Sequence, residues 1–200
     1  MMTTCICLLL PLLGYSQDQR SRRVEKVSQQ NEPVEIVDLQ TASIQISSQS
    51  LKLGSAFTGG DHWLRGLTLH VKNISGKSIV YIKAELEFPK AGTMEYPFLV
   101  PITYGRIPPA ASETNDLPAP KPIMHGGYIK LLLTDTMYDF AREFLRKKDV
   151  SSIDNVKLNI QFVVFEDGTA WSNGQILYHD PDNPRTWNVI SSFPVLDVLG

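Results

Sequence analysis

The sequence predicts a mainly β protein: an antiparallel β-sandwich with one inserted α-helix at about 135–148. Three observations carry that expectation. Apolar and polar residues alternate over four separate stretches, turn-forming residues punctuate the intervals between them, and one stretch switches to apolar spacings of three and four. A chain of 200 residues with 42% hydrophobic content is long enough to bury one core, so a single domain at 34–200 is expected.

Taken from the start, the apolar run from Cys5 to Leu13 is followed by the small residues Gly14 and Ser16, the pattern of a secretory signal peptide cleaved after Ser16. The run is shorter than the roughly 20 residues a membrane helix needs, so no transmembrane span is expected in the mature chain. Both cysteines, Cys5 and Cys7, fall inside residues 1–16, which leaves the mature chain without a thiol or a disulfide. An exported protein without cystines fits a bacterial envelope, periplasmic or extracellular. Residues 17–33 are polar without a sustained apolar period and read as a disordered linker, with Arg20, Arg22 and Arg23 as a solvated tail.

From Val34 onward strand patterns dominate. Residues 35–46 form a weak strand. In LTLHVKN, Leu67, Leu69 and Val71 point one way and Thr68, His70 and Lys72 the other, and in SIVYIKAELEF, Ile82, Ala84, Leu86 and Phe88 alternate with Lys83, Glu85 and Glu87. The intervening NISGKS supplies turn residues, so these two strands are expected to form an antiparallel hairpin, with the glycosylation sequon Asn73-Ile74-Ser75 serving as its turn. Residues 97–104 read as an edge strand because of Pro101. YIKLLL (128–133) and VKLNIQFVVF (156–165) repeat the alternation. Between them, Met137, Phe140, Ala141, Phe144 and Leu145 recur at helical spacing, Thr134 or Asp135 can cap the start, and Arg146, Lys147 and Lys148 complement the helix dipole at the end.

Residues 66–93, GLTLHVKNISGKSIVYIKAELEFPKAGT, resemble Ig-like and fibronectin-III-like modules of exported bacterial proteins, including the FxLYD-type domains. The matching features are a strand ending in V-x-N, a Ser-Gly-Lys turn and a second alternating strand before an F-x-x-x-G bend. KPIMHGGYIKLLL looks like the companion strand, and FEDGTAWSNG is similar to the closing hairpin of other secreted bacterial proteins. The resemblance implies an Ig-like fold and transfers no catalytic residue.

Charge and motifs narrow the function. A net charge of -2 gives no electrostatic footprint for nucleic acid. The histidines His62, His70, His125 and His179 stand far apart, and no G-x-S-x-G, HExxH, Walker or dinucleotide pattern occurs. The expectation is therefore a non-catalytic module without a required cofactor, which binds a protein partner in the envelope or plays a structural part there. The 105–122 loop, with Pro108, Pro109, Pro118 and Pro120, can present an extended polyproline segment to that partner. The alternative is a module that binds a carbohydrate or a calcium-dependent ligand at the C-terminal stretch. There Trp171, Tyr178 and Trp187 would supply a stacking surface, and Asp180, Asp182 and Asn183 hard oxygen ligands for calcium. Against it, HDPDNP lacks the third ligand and the glycine of an EF-hand loop, Asp-Pro and Asn-Pro are ordinary turn formers, and Trp171 directly after the Asp167-Gly168 turn suits hairpin packing.

Overall fold

The computed structural model describes residues 19–41, 52–88, 94–107, 121–180, 183 and 186–190. The signal peptide expected at 1–16 lies outside them. Two sheets face each other across one core. The smaller contains β2 (Val34–Gln40), β4 (Thr68–Asn73) and β7 (Tyr128–Leu132) in the order β2-β4-β7, all antiparallel. The larger is organised around β8 (Asn155–Phe165), which pairs along one side with β5 (Ile79–Phe88), itself paired with β6 (Phe98–Gly105). The other side of β8 is divided. Its first half pairs in parallel with β1 (Arg20–Val27), which leads out to β3 (Ala56–Gly59). Its second half pairs with β9 (Thr169–Ser172), followed by β10 (Gln175–His179) and β11 (Trp187–Val189).

The core follows from the alternation. Leu69 and Val71 of β4 and Leu131 of β7 meet Ile82, Ala84 and Leu86 of β5 and Val156, Leu158 and Ile160 of β8, all buried. Each buried aliphatic side chain contributes about 1.5–3 kcal/mol relative to an exposed one, which is why one face of every long strand is apolar. Helix α1 (Asp135–Arg146) is capped by Thr134, whose hydroxyl accepts from Met137 N at 3.3 Å. It buries Tyr138, Ala141 and Leu145. Phe140, expected on its inner face, is instead exposed. As anticipated from Pro101, β6 is hydrogen-bonded to one strand among the described residues, β5.

Two expectations are corrected. Strands β4 and β5 do not form a hairpin: they belong to opposite sheets, and 74–78 is an arch between them. The buried Asn73 side chain builds that arch. Its Nδ2 donates to Lys77 O and Ile123 O, both at 2.8 Å, while its Oδ1 accepts from Ser75 N and Oγ at 2.9 and 2.7 Å. The sequon asparagine is thus buried and bonded at both ends of its amide.

The polar stretch read as a disordered linker also holds an ordered strand, β1. Its inward residues are Arg22 and Val24, and Arg22 is 0% exposed. The guanidinium donates from Nε to Gly59 O at 3.1 Å, from Nη1 to Ser152 Oγ at 2.7 Å and Ile153 O at 2.8 Å, and from Nη2 to Asp61 Oδ1 at 3.0 Å. Nη1 also contacts Asp154 Oδ1. Hydrogen bonds from all three guanidinium nitrogens and two carboxylates offset the cost of burying the charge. Gly59 packs closely beside it: a Cβ there would lie 3.1 Å from Trp63 Cβ and 3.3 Å from Arg22 Cγ, so either neighbour would have to shift by a few tenths of an ångström.

Where β1 leaves β8 and β9 arrives, side chains occupy the gap. Gln29 Nε2 donates to Ile160 O at 3.1 Å, Ser172 Oγ donates to Gln161 O at 2.9 Å, and Trp171 Nε1 donates to Gln30 O at 3.3 Å. Unpaired strand carbonyls are thereby satisfied.

Arg22→Met should lower unfolding stability by about 2–4 kcal/mol in a urea melt, because Gly59 O loses its donor and two carboxylates lose their cation. Arg22→Lys should recover only part of this, since one ammonium cannot span the same acceptors. Equal stability of Arg22→Met and wild type would contradict the bonding described.

Candidate functional site

The C-terminal ribbon β9-β10-β11 carries most of the site residues expected from the sequence. Gly168, at φ 81°, makes the turn from β8, and Gly168 N donates to Phe165 O at 3.1 Å. Asp167 holds the same turn: Oδ1 accepts from Thr169 N at 3.0 Å and Thr169 Oγ1 at 2.6 Å, and Oδ2 pairs with Lys77 at 2.7 Å. Burial pushes the Asp167 carboxyl up, but the hydrogen bonds from Lys77 and Thr169 outweigh it and hold the group below its usual 3.8.

The three aromatics do not form one platform. Trp171 is 0% exposed and belongs to the inter-sheet core, opposite Val163 and Ile176. Tyr178, two residues beyond Ile176, shares that face of the sheet and is 41% exposed. Trp187 pairs with His179, so it lies on the opposite face. There it makes an edge contact with Phe162 at 5.3 Å and lies over His179 at 3.7 Å. It closes a second, smaller apolar cluster of Val80, Val164, Ala170 and Leu177. Structure has claimed two of the three rings.

Asp180 forms a closed turn. Its Oδ1 accepts from Asn183 N at 3.2 Å and its Oδ2 from Asn188 Nδ2 at 3.0 Å, while Asp180 N donates to Thr186 O at 3.0 Å. Asp182 lies outside the described residues, as do Pro108, Pro109, Pro118 and Pro120 of the proposed partner loop. Among the described residues no group of three or more His, Asp or Glu side chains is placed to hold a metal.

A polar cluster that the sequence reading missed lies where the 60–66 turn meets α1. His62 Nδ1 and Tyr138 Oη are hydrogen-bonded at 2.8 Å, and the Arg65 guanidinium sits 4.7 Å above the Tyr138 ring. Arg65 also pairs with Asp135 at 3.1 Å and contacts Asp139. Burial raises the Tyr138 phenol above its usual value despite the nearby Arg142 and Arg65, so it stays protonated at neutral pH. Every charge here has a partner of opposite sign or a carbonyl, and the cluster braces α1 against the turn. The neighbouring cleft beside α1, which shares Asp139 with this cluster, is similar: its Arg146 pairs with Glu143, and its Arg142 donates to Asp61 O at 3.3 Å.

The exposed apolar surface lies elsewhere. On β7, Tyr128 is 63% and Leu132 51% exposed, one on each side of Lys130. The Lys72 ammonium of β4 lies 5.7 Å from the Tyr128 ring centre. The alternation over 128–133 marked a strand without singling out these residues or revealing that, among the described residues, β7 ends its sheet. No protein-family model, curated protein or solved structure matches the chain.

Trp171→Ala should cost about 3–5 kcal/mol in a chemical melt, as expected for a large ring removed from a packed core, whereas Tyr178→Ala should change stability by no more than about 0.5 kcal/mol. Asp167→Asn should destabilise the protein at neutral pH. Because the folded carboxyl titrates below its unfolded value of 3.8, the difference should be complete above that pH and disappear as the pH falls through the folded value. A deficit that grew on acidification would contradict the assignment.

Proposed function

We propose that this chain is an exported, non-catalytic Ig-like β-sandwich module that binds a protein partner in the bacterial envelope through a sheet edge. The observation that carries the reading is the exposure of Tyr128 and Leu132 on a regular, well-paired strand at the end of a sheet. Large apolar side chains held out on rigid backbone bind at low ordering cost, because little conformational freedom remains to be lost. Tyrosine in particular offers apolar area with a polar tip.

The strand order supports the Ig-like part. The sequence β2-β4-β7 against β5-β8-β9 corresponds to strands A-B-E facing C-F-G in Ig-like sandwiches. Strands β1, β3, β6, β10 and β11 and helix α1 are then additions to that frame. Export rests on the apolar run from Cys5 to Leu13 and the small residues after it. Among the described residues no helix is long and apolar enough to cross a membrane.

The test places a photo-crosslinking phenylalanine derivative at position 128 and, as a control, at position 147 just after α1, and exposes each protein to an extract of its native envelope. The reading predicts one reproducible protein adduct from position 128 that is absent from position 147. Equal labelling from the two positions, or none from either, would overturn it.

A further inference from the structure

Resting on that reading, we infer that β7 takes up an extended peptide segment as an additional antiparallel strand, and that the segment carries a carboxylate between two apolar side chains. The first part comes from the hydrogen-bond pattern. Asn73 N donates to Gly127 O and Leu133 N donates to Leu67 O, both at 2.9 Å. Bonding toward a given neighbour alternates along an antiparallel strand, so Gly127, Ile129, Leu131 and Leu133 face β4. Tyr128, Lys130 and Leu132 therefore turn their N–H and C=O groups to the other side, where β7 has no hydrogen-bonded strand neighbour among the described residues, although β6 of the facing sheet comes close to it. In Ig constant-type order a fourth strand lies at this place, beside E.

The other sheet edges carry features that discourage strand addition. A bulge interrupts β2 between Ile36 and Asp38. Pro101 sits in the middle of β6, and β3 and β11 are only four and three residues long. By contrast, β7 has five residues with neither proline nor bulge, and its one charged side chain is Lys130.

The charge of the occupant follows from the outward face. Across β4 and β7 that face bears Lys72, His70 and Lys130; Glu35 and Asp38 of β2 stand opposite Lys72 and His70, which leaves Lys130 as the cation at the β7 edge. A carboxylate opposite Lys130 would form a favourable cross-strand pair, with apolar side chains opposite Tyr128 and Leu132. A second copy of β7 paired symmetrically about its centre would set Lys130 against Lys130, which is unfavourable. On the inward side the added strand would meet half-buried Ile129 and buried Leu131 at the rim of the core, where valine fits.

The experiment titrates the full chain with the synthetic peptide Ser-Asp-Ile-Val-Glu-Val-Tyr-Asp-Ser and with its counterpart bearing lysine in place of the central glutamate. Chemical shifts are followed by NMR. The glutamate peptide should perturb the β7 amides and bind at least tenfold more tightly than the lysine peptide. Lys130→Pro should abolish binding, because residue 130 makes no hydrogen bond to β4 and the ring blocks only the open side. Lys130→Glu, which leaves the backbone unaltered, should reverse the preference between the peptides and carries the test if the proline variant melts early. Indifference to the charge of the peptide, binding that survives Lys130→Pro in a folded protein, or self-association of the chain through β7 in sedimentation would each overturn the inference. Crosslinking from position 128 that is unaffected by Lys130→Pro would overturn strand addition while leaving the interaction reading in place.

Discussion

The buried guanidinium of Arg22 is the interaction on which the larger sheet depends. It joins three segments far apart in the chain: β1 itself, the Gly59–Asp61 turn after β3, and residues 152–154 leading into β8. A cation without solvent is stable only when its donors are matched, and here matching them requires all three segments to be in place together. The Ile153 carbonyl extends the link to Trp63, whose indole nitrogen donates to it at 2.7 Å. Parallel pairing of β1 with β8 follows, since Arg22 sits next to the point where the two strands begin to run side by side. Loss of the guanidinium would thus loosen sheet edge, turn and the entry to β8 at once.

With β1 and β9 sharing one side of β8 and β5 along the other, the larger sheet is closed on both flanks of its central strand. Among the described residues the smaller sheet receives no such additions, and its three strands end at β7. All the elaboration of the frame lies on one sheet, while the other keeps an edge whose backbone groups, apolar side chains and positive charge point outward together. The aromatic stretch near the C-terminus makes the opposite case: Trp171 fills the main core and Trp187 a secondary one, so rings that look available in sequence are engaged in packing.

The regular parts of the fold were legible because their signals are local. The alternation in β8, the Asp167-Gly168 turn and the Thr134 cap each depend on residues within a few positions of one another. Strand β1 was not legible, because its inward side chain is an arginine whose acceptors lie between 37 and 132 residues away. The NISGKS turn was misread for a related reason. Turn residues show that the chain reverses but not whether it stays in the same sheet, and the arch depends on Asn73 reaching Ile123, 50 residues on. At the candidate site, the alternation over 128–133 was legible as a strand, but which of its residues stand exposed beside an unpaired edge is a property of sheet order.

The most direct test of the account is native-state hydrogen exchange along β7, resolved residue by residue by NMR. The account predicts alternation: amides of Ile129, Leu131 and Leu133 protected by β4, and those of Tyr128, Lys130 and Leu132 exchanging far faster. Uniform protection across residues 128–133 would mean that another segment already pairs with this edge, and would contradict the claim that β7 is open to a partner.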